Sequence, residues 1–106
     1  MRLSLGIVAL ILATAAPALA DDDDDILQVK QAFDPAVAEI AAGASMKFTN
    51  ADDVNHNLVA VAPDGTRVDY GVEKPGDSTL ISFPTAGVYS VICRIHPRMK
   101  MRVTAK

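Results

Sequence analysis

Beyond its first twenty residues the chain never sustains an apolar stripe at the helical period. It offers short alternating runs separated by turn residues, and this period-2 pattern is what most limits the fold. Ala44, Met46 and Phe48 fall on one side of such a run, with Ser45, Lys47 and Thr49 on the other. Tyr89, Val91 and Cys93 share a face in another. Similar strands are expected over 27–32, 36–40, 54–61, 78–83 and 102–106, with Phe33-Asp34-Pro35 interrupting the first of them. Ala41-Ala42-Gly43, Ala51-Asp52-Asp53, Pro63-Asp64-Gly65 and Pro84-Thr85-Ala86-Gly87 supply the turns. Residues 67–77 carry no clear pattern and contain Pro75-Gly76, so they read as a loop. Seven to eight short strands with frequent turns predict an all-β protein, a Greek-key β-sandwich.

The amino terminus reads differently. Met1-Arg2 precedes an apolar stretch that closes on Ala18-Leu19-Ala20. A basic start, an apolar middle and a small-residue end describe a secretory signal peptide over 1–20, cleaved after Ala20. A retained anchor is the rival, and Pro17 with the Ala-Leu-Ala end disfavours it. Residues 21–26 then form an acidic flexible tail and 27–106 the folded domain. Export of this kind predicts a periplasmic protein with no membrane contact after cleavage. The run Asp21 to Asp25 reads as a solvated, self-repelling segment.

With 10 Lys+Arg against 13 Asp+Glu, the net charge of −3 argues against a nucleic-acid binder. All 13 acids lie before residue 78, whereas Arg94, Arg98, Lys100, Arg102 and Lys106 follow it with no acid. One cysteine excludes an internal disulfide. A domain this small has a marginal core, so a ligand that binds only the folded form would stabilise it.

The reactive side chains are few and clustered. The chain's one Cys and both His lie in Asn55-His56-Asn57 and in the run from Cys93 through His96 to Met101. Singly, a buried Cys is usually a small hydrophobe, a lone His a satisfied polar group, and a Met core filler. Jointly, every rare residue type falls at ligand spacing. Two imidazoles, a thiolate and a weak axial thioether form the donor set that selects copper for electron transfer. One hairpin end offers Cys93, His96 and a Met, and His56 comes from another strand. Met99 and Met101 compete for the axial position. Met101 shares a strand face with Val103 and Ala105 and so has a core role already, which favours Met99. Asp52 and Asp53 could suggest a hard-metal site, but Asp is common in turns.

These residues resemble the cupredoxins, the small blue copper proteins, with features of the amicyanin, pseudoazurin and plastocyanin-like branch. The resemblance rests on His56-Asn57, Pro75-Gly76-Asp77-Ser78, Gly87 through Cys93, and the loop Cys93-Arg94-Ile95-His96-Pro97-Arg98-Met99. It implies an eight-stranded Greek-key sandwich with one type 1 copper ion at one end. His56, Cys93 and His96 would form the strong ligand plane, with Met99 axial. It also implies that Asn57 braces the ligand loops and that its backbone supports the thiolate. His96 would be the route for the electron. The loop over 62–77 is short for that family.

The expected function is a monomeric, exported one-electron carrier rather than an enzyme. Arg94 and Arg98 flank His96 and would give its rim a positive charge suited to redox partner proteins with acidic docking faces. A copper-delivery protein and a metal-free sandwich are the alternatives. Colour, reversible voltammetry and copper content separate the three.

Overall fold

The computed structural model describes residues 25–106. The expected signal peptide over 1–20 and nearly all of the acidic run lie outside the described residues. Nine strands follow in order: β1 Asp25–Val29, β2 Ala32–Asp34, β3 Val37–Ile40, β4 Ser45–Asn50, β5 His56–Val61, β6 Arg67–Glu73, β7 Ser78–Ser82, β8 Gly87–Ile92 and β9 Lys100–Ala105. They build a four-stranded sheet in the order β2-β1-β4-β7 and a five-stranded sheet in the order β3-β9-β8-β5-β6. The protein is all-β, and the described residues contain no helix. Two neighbouring pairs, β1–β4 and β3–β9, are parallel. A tight hairpin cannot join parallel strands, so these pairs are linked through the other sheet.

The inward faces follow the period-2 rule. Met46 and Phe48 of β4, Ile81 of β7, Tyr89 and Val91 of β8, and Met101 and Val103 of β9 are all buried in one core. Tyr89 pins the start of its strand. Its hydroxyl donates to the Thr85 carbonyl and accepts from the Thr85 amide, each at 3.0 Å. Its ring meets Phe83 edge-on with centroids 5.0 Å apart. The chain enters β8 at Gly87, where φ is 137° and a Cβ would stand 2.6 Å from Cγ of Pro63.

Two expectations change. Residues 67–77 are not a loop throughout, because Arg67–Glu73 is the edge strand β6, paired only with β5. An edge strand has one partner and wide exposure, and here a register shift at Leu58/Val59 further breaks the alternation. The run 27–32 does not continue as one strand either. Lys30 and Gln31 form a turn and Ala32–Asp34 returns as β2. Within β1 the buried side chains are Ile26 and Gln28, while Leu27 is exposed. A buried glutamine disguises that face as polar.

Gln28 has a buried partner. Its Nε2 donates to Oε1 of Glu73, leaving Gln28 Oε1 and Glu73 Oε2 buried without hydrogen-bond partners among the described residues. Burial lifts the Glu73 carboxyl above the ordinary carboxylate value. Hydrogen bonds from Thr79 and Gln28 and the proximity of His56 act the other way, and the Asp77 charge adds to the rise. A protonated carboxyl carries a donor where an ionised one has only acceptors.

For an acid whose folded pKa is raised, the folded state holds the proton longer than the unfolded one. Stability therefore falls as pH rises from the ordinary value of 4.5 through the folded value. Glu73→Gln is expected to flatten that fall in the metal-free protein, read as denaturant midpoints across the acid-to-neutral range. An unchanged pH slope in the variant would contradict the assignment.

Candidate metal centre

The site lies where β5 begins and β8 ends. His56 opens β5, whose first five residues are all buried. Cys93 directly follows β8, and residues 93–99 loop back into β9. Two backbone bonds close this loop: Cys93 N–H donates to the Met99 carbonyl at 3.3 Å, and Met99 N–H donates to the His96 carbonyl at 2.9 Å. A loop this short and this tied brings three side chains to one point.

His56 Nδ1 stands 3.1 Å from His96 Nδ1, and Cys93 Sγ lies 3.8 Å and 3.7 Å from those two nitrogens. The centre of a triangle with these sides is about 2.1 Å from each corner, close to the roughly 2.0–2.3 Å of metal–imidazole and metal–thiolate bonds. The three donors thus fit a small, thiophilic ion without rearrangement. The chemistry of the set, two nitrogens and one sulfur, suits copper. Their rings and sulfur differ in access: His56 and Cys93 are buried, and His96 is partly exposed.

Both methionines are buried in the core cluster, and they differ in the part of the chain that carries them. Met101 lies in β9 opposite Val91 and belongs to the core face of that strand. Met99 is equally buried, but it sits in the loop and is fixed by the two bonds that close it.

Around the donors lies a frame of hydrogen bonds. Asn57 N–H donates to Cys93 Sγ at 3.4 Å. The Asn57 side chain turns to β6, donating to Asp69 Oδ1 and to the Gly71 carbonyl, both at 3.0 Å. Arg94 joins the same acid, with Nη1 3.2 Å from Asp69 Oδ2. Asn57 therefore reaches the ligand loop through its backbone and, by way of Asp69, through Arg94. Hydrogen bonds from the Gly71 amide and the Asn57 amide hold the Asp69 carboxyl below its ordinary value, with Arg94 adding to the effect. Arg98 is exposed beside His96.

Sequence reasoning passed over two features of the site. Asp52, one of the acids that raised the hard-metal reading, does not turn toward the cluster. Its Oδ2 lies 2.8 Å from His56 Nε2, on the far side of the ring from Nδ1. Lys30 and Gln31, from the β1–β2 turn, line a groove with Ile95, His96, Pro97 and Arg98. The Asp52–His56 contact spans only four residues, a spacing the sequence itself displays, whereas the groove joins segments distant in the chain. Burial works to raise the Asp52 carboxyl, but bonds from the Gln31 amide, His56 and the Lys30 amide hold it below the ordinary value.

The family signature of copper binding proteins, the plastocyanin/azurin family, matches residues 22–106. The chain belongs to that family. Pseudoazurin of Methylorubrum extorquens is 33% identical over 106 residues, covering 89% of this chain and 67% of that protein. The methylamine utilization protein MauL of Methylophilus methylotrophus is 33% identical over 67 residues, which span 61% of this chain and 38% of MauL. The cupredoxin fold is shared with a reduced, singly substituted amicyanin, at a TM-score of 0.73 and 21% identity over 83% of this chain and 86% of the other. Copper is the ion of this cupredoxin, as the family and the convergent donors agree.

Because the donors are assembled in the folded chain and dispersed in the unfolded one, copper should stabilise the protein. A hundredfold excess of ligand over its dissociation constant is worth about 2.7 kcal/mol. Loading with one equivalent of Cu(II) is expected to raise the unfolding midpoint and to block alkylation of Cys93. An unchanged midpoint with a freely reactive thiol would contradict the site.

Proposed function

We propose that this cupredoxin is an exported carrier of single electrons, with His56, Cys93, His96 and Met99 holding one copper ion. The observation that supports this most directly is the closure of two Nδ1 atoms and one Sγ to within 3.8 Å of one another. Bound copper would supply a Cu(II)/Cu(I) couple, and the Met99 thioether would tune its potential.

The chain's own residues do the rest. Cys93 gives a thiolate, buried from water and braced by the Asn57 amide. His56 and His96 present Nδ1 inward from two separate parts of the fold, which resists displacement of either ring. Met99 offers a thioether from the closed end of the loop. A donor set held by strands and short backbone bonds moves little when the charge at the centre changes. His96 is partly exposed where His56 and Cys93 are buried, so we take it as the route of the electron to the surface. We read the protein as a carrier rather than an enzyme, a reading that its membership of the plastocyanin/azurin family supports.

We place residues 1–20 as a cleaved export signal, 21–26 as an acidic tail and the rest as the copper domain, acting in the periplasm as a monomer. Its partners are redox proteins that approach His96. Arg98 and Lys30 give this rim positive charge, and Arg94 adds less because Asp69 engages it. Partners with acidic faces fit that charge.

Three measurements check the reading. Anaerobic copper titration followed by absorption, paramagnetic resonance and voltammetry should give an intense visible thiolate band and a reversible one-electron wave. Cys93→Ala should abolish the band. A colourless complex that releases Cu(I) readily would favour metal delivery instead. Among single variants, Met99→Leu is expected to shift spectrum and potential markedly while Met101→Leu acts chiefly on stability, costing under about 1.5 kcal/mol as a volume-conserving change. The reverse pattern would make Met101 the axial ligand. For docking, electron-transfer rates with an acidic partner should fall as salt rises, and salt-independent rates would refute the charged rim.

A further inference from the structure

Among the described residues, the non-glycine residues at positive φ are Lys30 at 54° and Gln31 at 57°. Two successive residues in this region make the tight primed turn that matches the twist of a hairpin, a turn normally built from Asn-Gly. Lys-Gln has no intrinsic preference for it, so something outside the hairpin must hold it. That something is Asp52. Its Oδ1 accepts from the Lys30 amide, and its Oδ2 accepts from the Gln31 amide at 2.8 Å.

The same Oδ2 lies 2.8 Å from His56 Nε2. The His56 side chain is fully buried, and the Asp52 side chain is 10% exposed. An ionised carboxylate only accepts, so it fixes the ring proton on Nε2 and leaves Nδ1 as a lone-pair donor. The loop that carries Asp52 is itself secured. Asn50 Oδ1 accepts from the Asp52 amide at 2.9 Å, Asn50 Nδ2 donates to the Val54 carbonyl at 2.8 Å, and the Ala51 amide donates to the Gln28 carbonyl at 3.0 Å.

We propose that Asp52 is a positioning residue for the metal centre, one carboxylate that both orients His56 toward Cys93 and His96 and clamps the strained Lys30–Gln31 turn beside them. The proposal rests on His56 being a copper ligand. Its consequence is that the β1–β2 hairpin and a buried ligand form one mechanical unit. The groove wall made by Lys30 and Gln31 is thereby held in register with His96. Electronically, a carboxylate behind an imidazole makes that ring a stronger donor. A stronger donor favours the more highly charged Cu(II), so Asp52 lowers the reduction potential.

The test uses the full chain, Asp52→Asn, and Asp52→Asn combined with Lys30→Asn and Gln31→Gly, which supply the residues that the turn prefers. Three quantities are read: Cu(II) affinity by competition, reduction potential by voltammetry, and the unfolding midpoint of the metal-free protein. Asp52→Asn should weaken Cu(II) roughly 10- to 100-fold. It should weaken Cu(I) less, and each tenfold difference raises the potential by about 59 mV. The combined variant should regain metal-free stability and keep the raised potential, since an Asn-Gly turn repairs the hairpin but not the charge behind His56. Wild-type affinity and potential in Asp52→Asn would overturn the inference. So would a potential restored by the turn substitutions alone, because Asp52 would then act only through the hairpin. A wild-type protein without a thiolate–copper band would bring down the ligand reading together with this one. A wild-type band with an indistinguishable Asp52→Asn variant would bring down this inference alone.

Discussion

Three lone-pair donors crowded onto one point are the constraint that organises this molecule. Two imidazole nitrogens 3.1 Å apart, with a sulfur under 4 Å from both, repel one another unless a proton or a cation lies between them. The strands must therefore hold the donors against that repulsion until an ion arrives. β5 contributes His56 from within a run of buried residues, β8 delivers Cys93 at its end, and two backbone bonds close the loop that returns His96 and Met99. His56 is anchored in β5, while Cys93, His96 and Met99 share the loop between β8 and β9, so two parts of the sandwich converge on one point.

A site of this kind needs its neighbours as much as its ligands. The Asn57 amide points at the sulfur, and the Asn57 side chain ties β5 to β6 through Asp69 and Gly71. Asp69 in turn draws in Arg94, the residue after the thiol. On the other side, Asp52 links His56 to the β1–β2 turn. The hydrogen-bond frame thus reaches both sheets. The buried pair Gln28–Glu73 extends the polar layer into the core below His56, whose strand partner is Glu73.

Much of this was legible in the residues. His56, Cys93 and His96 stood out because they are the chain's only members of their types and fall at ligand spacing, and the structure brings all three together. Strands such as β4 and β8 follow clean alternation, so their buried faces could be read from one residue to the next. What escaped was what depends on distant partners. β6 is an edge strand with a register shift, and its exposed valines carry no inward–outward rhythm. The Lys30–Gln31 turn lacks every usual turn residue, since its geometry is imposed by an acid more than twenty positions away. Asp52 read as an ordinary turn acid although it stands four residues before His56, and its hold on the Lys30–Gln31 turn appears only when β1 and the chain before β5 are side by side.

X-ray absorption at the copper edge of the loaded protein tests the central claim most directly. The donor triangle predicts two nitrogen scatterers at about 2.0 Å and one sulfur at about 2.2–2.3 Å, with the sulfur lost in Cys93→Ala. A first shell of nitrogen and oxygen alone, unchanged by that substitution, would mean that the ion binds elsewhere.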